Sequence, residues 1–285
     1  MPNSKIIRTT PEAQGDSAWK PPAGTLGELV RLAWQRVARL ESGAGAIDSE
    51  ATVHLARPSL RHALTGAHVG VIAEIKRSSP SRGAINPGLD SARQARAYSD
   101  GGAVAISVLT EPSAFGGSDE DLGIVRSAVG VPLLRKDFHV SESQLVEARR
   151  LGASAALVIV RAIEPSRLRS LAQAARDVSL ELVFEIRDEI ELDRALGAGA
   201  EIIGVNNRNL ETLEIDPHTV KRIVPLIPPE CVAIAESGYS TRDQVVEAAR
   251  AGADAVLVGS SVSASPDPAA AVGALADVPR RPRTR

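Results

Sequence analysis

From Val69 onward the chain alternates short apolar runs with longer stretches whose apolar residues recur at helical spacing, and no other feature constrains its fold as tightly. The short runs are Val71 to Lys76, Ala103 to Leu109, Pro132 to Lys136, Ala155 to Val160, Glu181 to Ile186, Ile202 to Asn206, Val232 to Glu236 and Ala255 to Val258. Their near-continuous aliphatic character suits parallel strands buried on both faces. Helical stretches fall between and after them: Ser91 to Tyr98, Asp119 to Ala128, Ser141 to Leu151, Pro165 to Asp177, Glu189 to Leu196, Pro217 to Val224, Thr241 to Ala251 and Pro268 to Ala276. Four junctions repeat at intervals of roughly fifty residues: Gly101-Gly102-Ala103, Leu151-Gly152-Ala153, Ala198-Gly199-Ala200 and Ala251-Gly252-Ala253. Glycine fits there as a left-handed helix C-cap. Eight strand-helix units with a two-unit repeat predict an α/β fold of the closed (β/α)8 or TIM-barrel type rather than an open doubly wound sheet. The repeated junctions precede even strands, at the floor of such a barrel, and read as stabilising features.

Ahead of the barrel, Leu26, Leu29, Val30, Leu32, Ala33, Val37 and Leu40 follow helical spacing over Thr25 to Ser42, with Thr25 as cap and Glu28 three residues on. Leu60 to Leu64 fits a second, shorter helix. The expected organisation is a flexible arm over residues 1–24, an N-terminal helical extension over 25–68, a catalytic barrel over 69–278 and a basic flexible tail over 279–285. Only 2% of residues are aromatic against 44% hydrophobic, so the core must be aliphatic, as buried parallel strands require. A formal net charge of -2 excludes a nucleic-acid footprint, and no run has the length of a membrane span or the character of a signal peptide. The lone cysteine, Cys231, excludes an internal disulfide and fits a reducing cytoplasm.

Under that fold, chemistry belongs at the C-terminal ends of the strands. Two-residue alternation places Glu74 and Lys76 on one face of the first strand, and Leu134 and Lys136 on one face of the third, with Arg135 opposite and structural. Glu185 ends the fifth strand, Asn206 and Arg208 the sixth, Glu236 and Ser237 the seventh. A single charge at a strand end is ordinarily solvated. Two lysines and three glutamates converging on one mouth differ, because buried charges persist only when paired, and such a ring can satisfy itself. Burial and opposite neighbours also shift pKa values, so the ring can hold a proton donor and an acceptor near neutral pH.

Ser237-Gly238 follows the seventh strand, and Gly259-Ser260-Ser261 follows the eighth and opens a short helix. Barrels commonly bind phosphate at these two loops, where backbone amides point outward. Arg77 to Gly88, full of turn formers and directly after Lys76, sits where a mobile lid belongs. These residues leave open other phosphate-binding barrels, such as a sugar-phosphate isomerase or an aldolase forming a Schiff base on either lysine.

The chain resembles indole-3-glycerol-phosphate synthase of tryptophan biosynthesis. The resemblance rests on Ile72-Ala73-Glu74-Ile75-Lys76-Arg77-Ser78-Ser79-Pro80-Ser81, Ser107-Val108-Leu109-Thr110-Glu111, Phe115-Gly116-Gly117-Ser118, Leu134-Arg135-Lys136-Asp137-Phe138, Gly204-Val205-Asn206-Asn207-Arg208-Asn209-Leu210 and Ala235-Glu236-Ser237-Gly238. It covers about Val69 to Val262. It implies ring closure, decarboxylation and dehydration of 1-(2-carboxyphenylamino)-1-deoxyribulose 5-phosphate, with no metal or organic cofactor. By resemblance Lys136 is the general acid of ring closure, and Glu74, Lys76 and Glu185 share the later acid and base steps, Lys76 also meeting the substrate carboxylate. Asn206, Arg208, Glu236 and Ser237 orient substrate or the catalytic pair; Ser79, Gly238, Gly259 and Ser260 form the phosphate site; Phe115, Phe138, Leu157 and Leu210 form the slot for the anthranilate ring. The departures are Arg187, where relatives often carry histidine, and Val262-Ser263-Ala264 in place of a Leu-Met pair. The expected partner is a phosphorylated small molecule, with no nucleic acid and no membrane. The chain is expected to act as a cytoplasmic monomer, with at most weak association with other tryptophan-pathway enzymes.

Overall fold

In the computed structural model, which describes residues 19–43 and 57–283, eight parallel strands close into a barrel. They are β1 (Gly70–Ile75), β2 (Ala105–Leu109), β3 (Leu133–Lys136), β4 (Ala155–Ile159), β5 (Glu181–Ile186), β6 (Ile202–Asn206), β7 (Val232–Glu236) and β8 (Ala255–Val258). Each strand pairs with its sequence neighbours, and β1 closes on β8 with Gly70 opposite Ala255. Nearly every strand residue is buried, because one face meets the barrel interior and the other the helix layer. Small shifts separate this from the sequence reading. β1 ends at Ile75, leaving Lys76 just beyond it, and β2 starts at Ala105 because Gly102, with φ 92°, still belongs to the preceding helix cap. Gly152, Gly199 and Gly252 also take positive φ (101°, 84° and 94°), the conformation expected of a glycine that ends a helix.

The helices are α1 (Gly24–Glu41), α2 (Leu60–Ala63), α3 (Ser91–Asp100), α4 (Pro112–Phe115), α5 (Asp119–Ala128), α6 (Glu142–Arg150), α7 (Pro165–Asp177), α8 (Glu189–Gly197), α9 (His218–Ile223), α10 (Arg242–Ala251), α11 (Ser260–Ser263) and α12 (Pro268–Gly273). Side chains of Asp90, Ser118, Ser141, Asp188 and Thr241 accept hydrogen bonds from first-turn amides, which fixes where five of them begin. Arg135 points outward from β3 and is buried between Asp119 (2.6 Å) and Glu147 (2.8 Å), tying α5 and α6 to the sheet.

Helix α1 crosses the mouth, burying Leu26, Leu29, Ala33 and Val37. Its cap differs from expectation: the helix begins at Gly24, and Thr25 caps nothing. Glu211, in the loop after β6, does that work instead, its carboxylate accepting from Ala23 N (2.7 Å) and its carbonyl from Thr25 N (3.2 Å). Residues 1–18 of the expected arm lie outside the described residues, whereas Trp19 Nε1 donates to Arg161 O. Of the expected flexible tail over 279–285, residues 284–285 lie outside the described residues. Residues 279–283 lie along the barrel floor: Arg280 N donates to Ala67 O, and Arg283, only 5% exposed in its side chain, pairs with Asp254 at 2.9 Å. The buried carboxylate at the foot of β8 attracts what composition alone reads as a solvated charge run.

Candidate active site

Every residue singled out from the sequence lines one cavity of about 240 Å³ at the C-terminal ends of the strands: Glu74, Lys76, Ser79, Phe115, Lys136, Phe138, Leu157, Glu185, Asn206, Arg208, Leu210, Glu236, Ser237, Gly238, Gly259 and Ser260. The charged ring is internally paired. Lys136 Nζ lies 3.1 Å from Glu185 Oε2 and 3.2 Å from Glu236 Oε2, and Lys76 Nζ lies 2.8 Å from Glu74 Oε1. Asn206 Nδ2 donates to Glu185 Oε1 at 3.0 Å, and Asn206 Oδ1 accepts from Arg208 N at 2.8 Å, so the amide links the carboxylate to the next loop.

Burial alone would lower the pKa of Lys136. The charges of Glu185, Glu236 and Glu74 outweigh it and hold the ammonium above the ordinary lysine range. Burial pushes Glu236 up to about 8, with Lys136 opposing and Glu185 adding to the rise. Glu236 thus takes up a proton close to neutral pH while the Lys136 ammonium stays charged. Glu236 Oε1 is buried with no hydrogen-bond partner.

Two glycines make room for these carboxylates. A Cβ at Gly204 would stand 2.2 Å from Glu236 Oε1, and one at Gly259 2.4 Å from Glu74 Oε1. Sequence reasoning assigned Gly259 to phosphate and missed Gly204; a glycine within an otherwise aliphatic strand was the available signal. Also missed were Thr25 and Leu29 from α1, Arg82, Ile215 and Tyr239, all of which line the cavity.

The apolar side is built from Phe115 and Phe138, with ring centroids 6.4 Å apart, together with Leu157 and Leu210. Lys76 Nζ stands 5.9 Å from the Phe115 centroid. At the opposite rim, Ser237 and Gly238 take consecutive positive φ values of 65° and 93°, and Ser79 Oγ is buried without a partner. Arg77 to Gly88 forms a small hairpin, Ser78–Ser79 against Gly83–Ala84, that brings Ser79 to Arg82 over the cavity. Arg77 anchors it at its base, donating to Asp121 (2.8 Å) and to Leu89 O (3.2 Å). Burial and the nearby Arg82 lower the pKa of Arg208, so two guanidinium groups face the same space. An anion between them would relieve the repulsion.

A solved structure, thiamine phosphate pyrophosphorylase from Pyrococcus furiosus, matches at TM-score 0.56 and 16% identity over 76% of this chain and 96% of that one, a likeness of fold alone. Curated relatives are far nearer in sequence. Indole-3-glycerol phosphate synthase of Mycobacterium ulcerans is 45% identical over 89% of this chain and 94% of its own length. That of Kineococcus radiotolerans is 53% identical over 73% and 76%, and indole-3-glycerol phosphate synthase 1 of Streptomyces coelicolor 48% over 78% and 83%. The family model for indole-3-glycerol phosphate synthase matches residues 30–275, and on that match and these identities the chain belongs to the indole-3-glycerol phosphate synthase family.

Proposed function

We propose a division of labour for the family reaction, in which 1-(2-carboxyphenylamino)-1-deoxyribulose 5-phosphate is ring-closed, decarboxylated and dehydrated to indole-3-glycerol phosphate. The chain is a carboxy-lyase of tryptophan biosynthesis acting on a phosphorylated small molecule. The observation that carries the assignment is the Lys136 ammonium, held between Glu185 and Glu236 and facing the aromatic slot. Ring closure puts negative charge on the ribulose carbonyl oxygen. Lys136 donates the proton that quenches it, and the two carboxylates keep that ammonium protonated until the oxyanion becomes the stronger base. The same pairing works against a Schiff base on Lys136, which needs a free amine.

Carbon dioxide leaves from a cationic intermediate whose nitrogen the carboxylates of the ring stabilise. Dehydration then needs an acid for the departing hydroxyl and a base for a ring proton. Lys76, paired with Glu74, and Glu185 fill these roles, with Lys76 also holding the substrate carboxylate before it departs. Asn206 fixes the orientation of Glu185. Ser79, Gly238, Gly259 and Ser260 surround the phosphate, and Arg208 adds a cation at the rim. Phe115, Phe138, Leu157 and Leu210 clasp the anthranilate ring. Of the expected N-terminal extension over 25–68, residues 44–56 lie outside the described residues; its helix α1 serves as a cover on a catalytic barrel spanning 69–278, and the chain acts as a cytoplasmic monomer.

Mixing the protein with the anthranilate-derived ribulose phosphate should produce indole fluorescence, and no signal would sink the reading. Lys136→Ala should retain the fold by circular dichroism while kcat falls by roughly 10²–10⁴; an unchanged rate removes Lys136 from the chemistry.

A further inference from the structure

The reaction consumes a proton. The substrate enters with its carboxylate ionised and leaves as carbon dioxide, water and a product one negative charge poorer. The carbonyl oxygen takes up two protons on its way to water and the ring carbon returns only one. One proton per turnover must therefore come from solvent. During the chemistry the substrate plugs the mouth, so a route other than the mouth has value.

Behind Glu185 lies a second cavity of about 230 Å³, roofed by Leu26 of α1 and sharing Ile159, Glu185 and Leu210 as walls with the active site. It has room for several waters. Glu191, in the first turn of α8, lines it, 6% exposed, and its Oε2 accepts from Arg187 N at 2.7 Å. We propose that this cavity is a proton inlet, in which Glu191 takes protons from solvent and passes them through ordered water to Glu185 and thence to Lys136.

The surroundings suit that task. Asp188, which caps the same helix, and Glu185 on β5 press Glu191 towards protonation, while Arg161 from the turn after β4 opposes them; Arg161 is itself paired with Glu211 at 2.8 Å. Burial is the largest influence, and the carboxyl is pushed up to about 7, where it can both take and give a proton at neutral pH. The last transfer is short, since Glu185 Oε2 and Lys136 Nζ are 3.1 Å apart. No bond other than those to protons is made or broken along the route.

The inference rests on the reaction assigned above, and the test separates the two. Steady-state kinetics of wild type and Glu191→Gln are compared across pH and in heavy water. The amide keeps the volume and the Arg187 contact but carries no transferable acid proton. Expected are a fall in kcat of about ten-fold with KM within about two-fold, a larger solvent isotope effect, and loss of the wild-type limb along which kcat falls as pH rises through about 7. Glu191→Ala should regain turnover saturably with added formate, a response that a packing role would not give. Wild-type kcat and pH profile in Glu191→Gln, or no formate rescue in Glu191→Ala, overturns the inlet alone. Absence of turnover in the wild type overturns the reaction assignment and the inlet with it.

Discussion

Gly204 shows how much of this active site depends on a missing side chain. It sits opposite Glu185 in the register between β5 and β6, and the space its Cβ would fill holds Glu236 Oε1. Gly204→Ala would force Glu236 away from Lys136, since β6 is pinned by neighbours on both sides and cannot yield. The expected result is a drop in kcat of about ten-fold or more and a stability loss of roughly 1–3 kcal/mol, read by steady-state kinetics and a thermal melt. Wild-type kcat in that variant would mean that Glu236 need not touch Lys136. Lys136 itself was legible from its place at the end of an apolar run. Gly204 was not, because what a glycine makes room for is decided by a strand that follows it.

At the scale of elements, α1 and the loop after β3 are held together by a buried fork and, further along, by Glu41, which accepts from Ser141 Oγ at 3.2 Å and Ser143 Oγ at 3.0 Å. Arg36 donates to Asp137 Oδ2 at 2.9 Å and Oδ1 at 2.6 Å, and Asp137 also accepts from Thr110 Oγ1 (2.6 Å) and Phe138 N (2.7 Å). Burial raises the Asp137 pKa, but the Arg36 hydrogen bond and charge more than reverse it, so the carboxylate stays well below its usual range. A cover helix is thereby locked to the residue next to the proposed acid. Arg36→Ala should cost about 1–3 kcal/mol, less than a fully buried pair because the Arg36 side chain is 24% exposed, and should raise KM several-fold as the mouth loosens. Because the folded-state pKa of Asp137 is depressed, this contribution is present above pH 3.8 and is lost as pH falls below it. Melts at neutral pH and in strong acid check the sign; a gap between variant and wild type that widens in acid would contradict it.

For the molecule as a whole, the barrel is finished by its last described residues. Val69 N donates to Val278 O, His68 bridges Pro279, and Arg283 donates to Asp254 (2.9 Å) and Cys231 O at the feet of β8 and β7. Asp254 in turn accepts from Ala233 N at 2.8 Å, so one buried carboxylate ties the floor of two strands to the end of the chain. Arg283→Ala should lower stability by about 2–4 kcal/mol while kcat stays at the wild-type value, because the floor lies at the opposite end of the barrel from the chemistry. Thermal melts with parallel kinetics test this, and a kcat loss matching the stability loss would show that floor and mouth are not independent.

What the sequence determined is everything that repeats locally. The aliphatic runs, the helical spacing and the four glycine junctions specified eight units. Alternation within β1 and β3 then put Glu74, Lys76 and Lys136 on the inner face and Arg135 on the outer one. Period and polarity are properties of neighbours in the chain, so they survive without any knowledge of closure. What only the tertiary structure decided are the pairings between distant residues: Arg36 with Asp137, Glu211 with the start of α1, and Arg283 with Asp254. Each joins groups from separate elements, and which charge meets which depends on how far the closed barrel turns each strand end and on the cavity left between them. No period in the sequence encodes that distance.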